Sequence, residues 1–181
     1  METKNVGTIT LSDKVRVTDP YYDIDTWCAG TLDNVLPGEF ECSYNQDTKK
    51  WFNGENYERV TSIEVHHKDY PYIEASEYMK DIDVGVDSGQ AGIFDFSMFE
   101  NVCSDDDKKN DFVHDIDDLP SEGNTIYDQG LVSIAGDGDG DYACFVGRND
   151  EGQIVAIKID YYPDYELLEE IENDEMNQDI F

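Results

Sequence analysis

Carboxylates are the reactive groups this sequence has in excess, so the first question is whether any are spaced to act together. Asp137-Gly138-Asp139-Gly140-Asp141 alternates acid and glycine as the opening of an EF-hand calcium loop does. Such a loop needs Gly at its sixth position and Glu at its twelfth. Those positions hold Tyr142 and Arg148, so the segment is expected to be a flexible, solvated turn. Asp137, Asp139 and Asp141 remain candidates for weak, non-selective cation binding only. His66 and His67 are adjacent in an expected strand, so their rings point to opposite faces and do not chelate one ion together. They read as surface or partner-contact histidines, and His114 stands alone in an acidic segment. The four cysteines, Cys28, Cys42, Cys103 and Cys144, form no Cys-x-x-Cys pair. Reduced, mostly buried thiols are expected rather than a zinc site. No nucleophile elbow, phosphate-binding glycine loop or His-Glu-x-x-His run occurs. Among so many carboxylates no pattern selects an acid/base pair, and the expectation is a protein that is not an enzyme and holds no cofactor or metal.

The charge itself is the stronger signal. In 181 residues, 43 acidic side chains face 12 basic ones, a net charge of -31. Residues 1–90 carry 18 acids and 8 bases, whereas residues 91–181 carry 25 acids and 4 bases. A phosphate-backbone binder needs a clustered Lys/Arg footprint, and an anionic membrane surface attracts the same residues. Direct nucleic-acid binding and membrane docking are both disfavoured. No run approaches the ~20 apolar residues of a membrane-spanning helix. The first residues show no signal peptide, so the cytoplasm of a bacterial host cell is the expected location.

The elements that would position these groups are mostly strands. Val15 and Val17, then Phe40, Cys42 and Tyr44, then Thr61, Ile63 and Val65, then Ile82, Val84 and Val86 each alternate with polar neighbours, as half-buried strands do. Tyr142–Gly147 and Ile154–Ile159 flank Asn149-Asp150-Glu151-Gly152, a hairpin signature. Asp87-Ser88-Gly89 is expected to be a tight turn followed by close backbone packing. Three helices are expected. One is capped by Asp23 or Asp25 and runs through Trp27 and Leu32 to near Pro37-Gly38; one is capped by Ser97 and carries Met98, Phe99 and Val102. The third is an acidic helix with an apolar stripe at Phe112, Val113, Ile116 and Leu119. The fold class is therefore α+β, mainly β: an antiparallel sheet, as a sandwich or partly closed barrel, with a few short helices. Residues 1–163 would form one globular domain, and 164–181, with eight acids and no base, an acidic C-terminal helix or tail.

Three segments, VRVTDPYYDIDTWCAGTLDNVLPGEFEC (15–42), DIDVGVDSGQAGIFD (81–95) and GDGDGDYACFVGRNDEGQIVAIKIDYY (136–162), together resemble an uncharacterised family of small acidic proteins from Gram-positive bacteria and their phages. The resemblance implies no catalytic residue; it implies a phage setting, in which proteins act against host defences. By type, in size and acidity, the chain is also similar to anti-CRISPR proteins that inhibit Cas9.

Acidity and that setting together lead to a phage or mobile-element inhibitor of a bacterial defence nuclease. The expected partner is a basic nucleic-acid-binding protein, Cas9 or its guide-RNA complex first, whose target-DNA binding or R-loop formation would be blocked by acidic mimicry of DNA. The expected partner-binding carboxylates are Asp105, Asp106, Asp107, Asp115, Asp117, Asp118, Glu169, Glu170 and Glu172. Two alternatives stand beside this: an acidic immunity protein that neutralises another basic partner, and a metal-dependent enzyme.

Overall fold

A computed structural model describes residues 2–74 and 77–163. Its core is two antiparallel sheets laid face to face. The larger has the order β1 (Glu2–Leu11), β4 (Gly38–Lys50), β5 (Asn56–His67), β11 (Ile154–Asp160), β10 (Gly140–Arg148), β6 (Met79–Val86). The smaller runs β3 (Gly30–Asp33), β2 (Lys14–Thr18), β7 (Gln90–Asp95), β9 (Gly130–Ile134), β8 (Asn124–Ile126). Both sheets keep open edges, so of the two expected arrangements it is the sandwich that forms.

The period-2 pattern explains the packing. On β2, Val15 and Val17 enter the layer between the sheets, where Phe40, Ile63, Val65, Val84, Cys144 and Ile157 of the large sheet meet them. On β7 the two faces separate cleanly: Ala91 and Ile93 join that core, while Phe94 points the other way. Phe94 belongs to a second apolar cluster with Met98, Phe99, Val102, Phe112, Ile116, Ile126 and Val132. That cluster lies under two helices, α1 (Phe96–Cys103) and α2 (Asp106–Asp117), which form a third layer on the small sheet. Phe94, Phe99 and Phe112 stack and edge against one another at 5.4–6.1 Å, a geometry that adds to simple area burial.

Several expectations hold. The alternating runs at Phe40–Tyr44, Thr61–Val65 and Ile82–Val86 are strands, the hairpin around Asn149–Gly152 forms, and the acidic helix lies on a sheet with Phe112 and Ile116 buried. Others are corrected. No helix follows Asp23 or Asp25. Residues 19–29 make single turns, and the chain enters β3, where Leu32 pairs with Val15. Pairing of β3 with β2 decides the conformation there. Gly30 also sits so close to Ile82 that a Cβ would lie 1.8 Å from its Cδ1. The cap of α1 is Asp95, two residues before Ser97, because its carboxylate accepts from the Ser97 and Met98 amides. The Asp87–Gly89 turn and the close packing after it hold, and Gln90–Asp95 is in addition a full strand. The expected tail over 164–181 lies outside the described residues.

Candidate functional site

The acidic helix is the most concentrated charge the described residues present. Asp105 begins it as N-cap, accepting from the Asp107 and Lys108 amides. A buried stripe, Phe112 and Ile116 with Leu119 partly covered, fixes which side faces the sheet. The rest of the helix is then forced outward. Asp105, Asp106, Asp107, Asp111, Asp115, Asp117 and Asp118 are all exposed. At ~1.5 Å of rise per residue these fourteen positions span about 21 Å, one carboxylate per ~3 Å. One strand of duplex DNA carries one phosphate per ~3.4 Å of axis. The line charge of α2 therefore matches that of a single phosphate strand.

The two lysines of α2 bring the formal net charge of residues 105–118 from -7 to -5, and among the described residues neither is ion-paired with an aspartate of the helix. Lys109 is drawn inward: its Nζ donates to the Pro20 and Tyr22 carbonyls at 2.9 and 2.6 Å and lies 4.6 Å from the Phe99 ring centre. Burial pulls its amine below the ordinary value, against the neighbouring Cys103 thiol, 3.6 Å away, and the charges of Asp23 and Asp19. Lys108 bends back to the Asn101 side chain at the end of α1. Two tyrosines flank the acidic face. The Tyr21 hydroxyl donates to Asp117 and that of Tyr127 to Asp115. Burial and these carboxylates push both phenols up to about 12, so both stay neutral donors. Beside them the 19–29 loop adds exposed Asp23 and Asp25 and a Trp27 that is 93% exposed.

The structure thus brings Asp105, Asp106, Asp107, Asp115, Asp117 and Asp118 onto one helix surface, while Glu169, Glu170 and Glu172 lie outside the described residues. Asp111 belongs to the same face and was missed by sequence reasoning. Its spacing of four from both Asp107 and Asp115 was the available signal. Asp23 and Asp25 were misread as helix caps; tertiary links through Lys109 and through the Tyr21 hydroxyl to Asp117 bring their loop to α2.

Other chemistry-bearing groups have been absorbed by the fold. Asp137, Asp139 and Asp141 do not converge, and no cluster of three or more His, Cys, Asp or Glu among the described residues could hold a metal ion. Asp137 instead faces the Arg59 guanidinium at 3.9 Å. His66 and His67 are corrected from surface positions. His67 is buried edge-on to Phe40, and His66 is largely enclosed with Glu64 and Tyr78, whose hydroxyl donates to the Glu64 carboxylate. Burial raises the Glu64 pKa, but the hydrogen bonds from His66 and Tyr78 and the charge of Lys158 outweigh it and hold the carboxyl below its usual range. Only His114 is an exposed histidine. All four cysteines are free thiols; burial pushes Cys42 up to about 12, and Cys28 and Cys103 are only half-buried.

Segments 15–42 and 81–95 meet at a buried carboxylate. Asp19 Oδ1 accepts from the Tyr21 amide and the Ser88 hydroxyl, and Oδ2 from the Asp87 and Ser88 amides, at 2.7–2.9 Å. Gly89 lies against Gly138 from the third segment. Every bond to Asp19 serves to tie loops together, and its oxygens are fully engaged. No family model, curated protein or solved structure matches the chain.

Proposed function

We propose that this chain is a protein inhibitor that occupies the basic nucleic-acid channel of a defence nuclease, with Cas9 or its guide-RNA complex the leading candidate and no chemistry of its own. The observation that carries the reading is the exposed Asp105–Asp118 surface, with its lysines turned away and a charge spacing close to that of one phosphate strand. A folded helix presents these charges without the ordering cost a flexible tail would bear on binding. Cas9 holds a ~20 bp heteroduplex in a positively charged channel and reads a short flanking motif with arginines. Such a channel attracts any fixed line of negative charge of the right density, and steering of this kind acts mostly on the association rate.

Placement also supports the reading. Asp115, Asp117 and Asp118 crowd the C-terminal end of α2, where the helix dipole is itself negative. Anions there destabilise a helix by roughly 0.3–1 kcal/mol each. A surface that works against its own fold is what selection for a partner's field produces. The test is competition for target DNA. Purified chain is titrated into a Cas9–guide-RNA complex, and binding of labelled target duplex is followed as salt rises from about 50 to 200 mM. Displacement of duplex that weakens with salt supports the proposal. Binding that leaves target-DNA affinity untouched, or no binding at any salt, refutes it.

A further inference from the structure

The corner between α1 and α2 holds a thiol against an amine. Cys103 is the last residue of α1, and Lys109 lies near the start of α2, the two helices being separated by their caps, Ser104 and Asp105. Both side chains turn to one acceptor. The Tyr22 carbonyl takes the Lys109 amine at 2.6 Å and the Cys103 thiol at 3.8 Å. Sharing that oxygen brings Lys109 Nζ to 3.6 Å from Cys103 Sγ. Reacting atoms in a near-attack geometry stand about 3–3.5 Å apart, so the nitrogen needs little movement to reach the sulfur. The Pro20 carbonyl at 2.9 Å and the Phe99 ring at 4.6 Å hold the amine in place.

The other thiols are placed differently. Cys42 and Cys144 are sealed in the core between the sheets, and Cys28 lies against Gly85. Cys103 is only half-buried, within reach of a small solute. A second cation stands near it. Arg16 is 6% exposed, and its guanidinium donates to the Thr31 hydroxyl at 2.8 Å and the Thr26 carbonyl at 3.3 Å. Its buried Nε has no partner among the described residues, and of the acidic groups around it Cys103 acts on it most. A transient negative charge on the Cys103 sulfur would therefore face two cationic groups. At rest the pair is driven towards neutrality: burial pushes the Cys103 thiol up, against Lys109 and Arg16, and pulls the Lys109 amine down. A desolvated lysine is the nucleophilic kind, because only the unprotonated amine carries a free lone pair.

We propose that Cys103 and Lys109 are a modification site, joined by hydrogen peroxide into a sulfur–nitrogen cross-link, a sulfenamide. In the first step the Cys103 sulfur attacks one peroxide oxygen while Lys109 Nζ takes the thiol proton. An S–O bond forms, the O–O bond breaks, and the proton passes on to the departing hydroxide as water. Sulfur loses two electrons and the peroxide gains them, leaving a sulfenic acid. In the second step the Lys109 lone pair attacks that sulfur. The S–N bond forms, the S–O bond breaks, and hydroxide leaves with a proton from nitrogen as a second water; sulfenic acids condense with nitrogen in this way. Two equivalents of a small thiol restore thiol and amine and leave as their disulfide. The link ties the end of α1 to the start of α2 and removes an ammonium, taking residues 105–118 from -5 to -6. It makes no use of the proposed nuclease partner.

The experiment treats the folded full chain with hydrogen peroxide in the presence of dimedone, which traps free sulfenic acid, and maps tryptic peptides by tandem mass spectrometry. The expected product joins the Cys103 peptide to the Lys109 peptide, two hydrogens lighter than their sum, with cleavage after Lys109 lost. Dithiothreitol should reverse it. A Cys28→Ser chain should give the same link, whereas a Cys28–Cys103 disulfide of equal mass change would vanish. Lys109→Arg keeps a cation on the two carbonyls but supplies no free amine; with its melting checked, the dimedone adduct at Cys103 should replace the link. Should that variant melt early, the wild-type map decides alone. Wild-type Cys103 that ends as a dimedone adduct or sulfinic acid without the link overturns the proposal. So does a Cys103 that resists peroxide, or one that joins to Cys28 or Lys108 instead.

Discussion

Replacing Asp118 by Lys should make the protein more stable and a poorer binder at once. Asp118 caps the C-terminus of α2, and its backbone amide donates to the His114 and Ile116 carbonyls. A side-chain change leaves those bonds in place. Its carboxylate lies against the negative end of the helix and three residues from Asp115. Its one ion-pair neighbour, His114, stands 3.9 Å away with both side chains about three-quarters exposed. Removing an unfavourable dipole contact and adding a favourable one gives about 0.3–1 kcal/mol each. Relief of like-charge repulsion at i, i+3 adds roughly 0.2–0.5 kcal/mol. The sum is about 1–2 kcal/mol, or a rise of roughly 2–8 °C in Tm for a chain of this length. The assay is thermal unfolding of wild type and variant side by side in one buffer. In the competition assay the same variant reverses one charge of the acidic face, and association with the nuclease should slow. A Tm that stays level or falls would refute the claim that these aspartates oppose the fold, and with it the placement argument for function.

Three further outcomes follow from buried groups. Asp19→Ala leaves four donors without their acceptor and should cost about 3–5 kcal/mol in denaturant unfolding; a loss below 1 kcal/mol would mean the Asp19 junction is not what ties the loops. Glu64 has a folded pKa below its unfolded one, so its contribution is full above the ordinary glutamate range and is lost as pH falls through the folded value. Urea unfolding should therefore separate wild type from Glu64→Gln at pH 7 and bring the two together in acid, and a gap that widens in acid would reverse the sign. Gly92→Ala places a Cβ 2.2 Å from Phe94 Cζ and 2.9 Å from the Leu131 carbonyl, and should destabilise by about 1–3 kcal/mol; unchanged stability would mean that Phe94 repacks freely.

Where two-residue periodicity was strong, as at Val15–Val17, Phe40–Tyr44 and Thr61–Val65, local sequence sufficed to find the strand, and at Ile154–Ile159 a β-rich run beside a turn sufficed. β1 escaped because most of it is exposed, with only Ile9 and Leu11 buried near its end, so its pairing with β4 leaves little hydrophobic trace. β8 and β9 are short, and their burial depends on helices that pack from a distance in sequence. The helix expected after Asp23 failed for the converse reason. Trp27 and Leu32 are five residues apart, which is not a helical repeat, and in the fold Trp27 faces solvent while Leu32, paired with Val15 of β2, faces the core. The acidic face of α2 was legible because its apolar stripe was.

The carboxylates of this protein divide into two populations with opposite physics. Asp19, Asp95, Glu64 and Asp47 are surrounded by donors or cations; hydrogen bonds and paired charge outweigh burial and hold Asp95 and Asp47, like Glu64, below the usual range. These belong to the fold, and any chain of this topology would need equivalents. The aspartates of α2 have almost no such partners beyond an N-cap and two tyrosine hydroxyls. Solubility does not account for them. A net charge of magnitude about 2–8 serves a small domain, and -31 exceeds that several-fold. Nor would solubility favour Asp over Glu inside a helix, since Asp is the poorer helix former. The shorter side chain does one thing better: it holds the charge close to a rigid backbone at fixed spacing. Rigid spacing is without value for solubility, whereas under the proposed function it is what would match the cations of a phosphate-gripping channel.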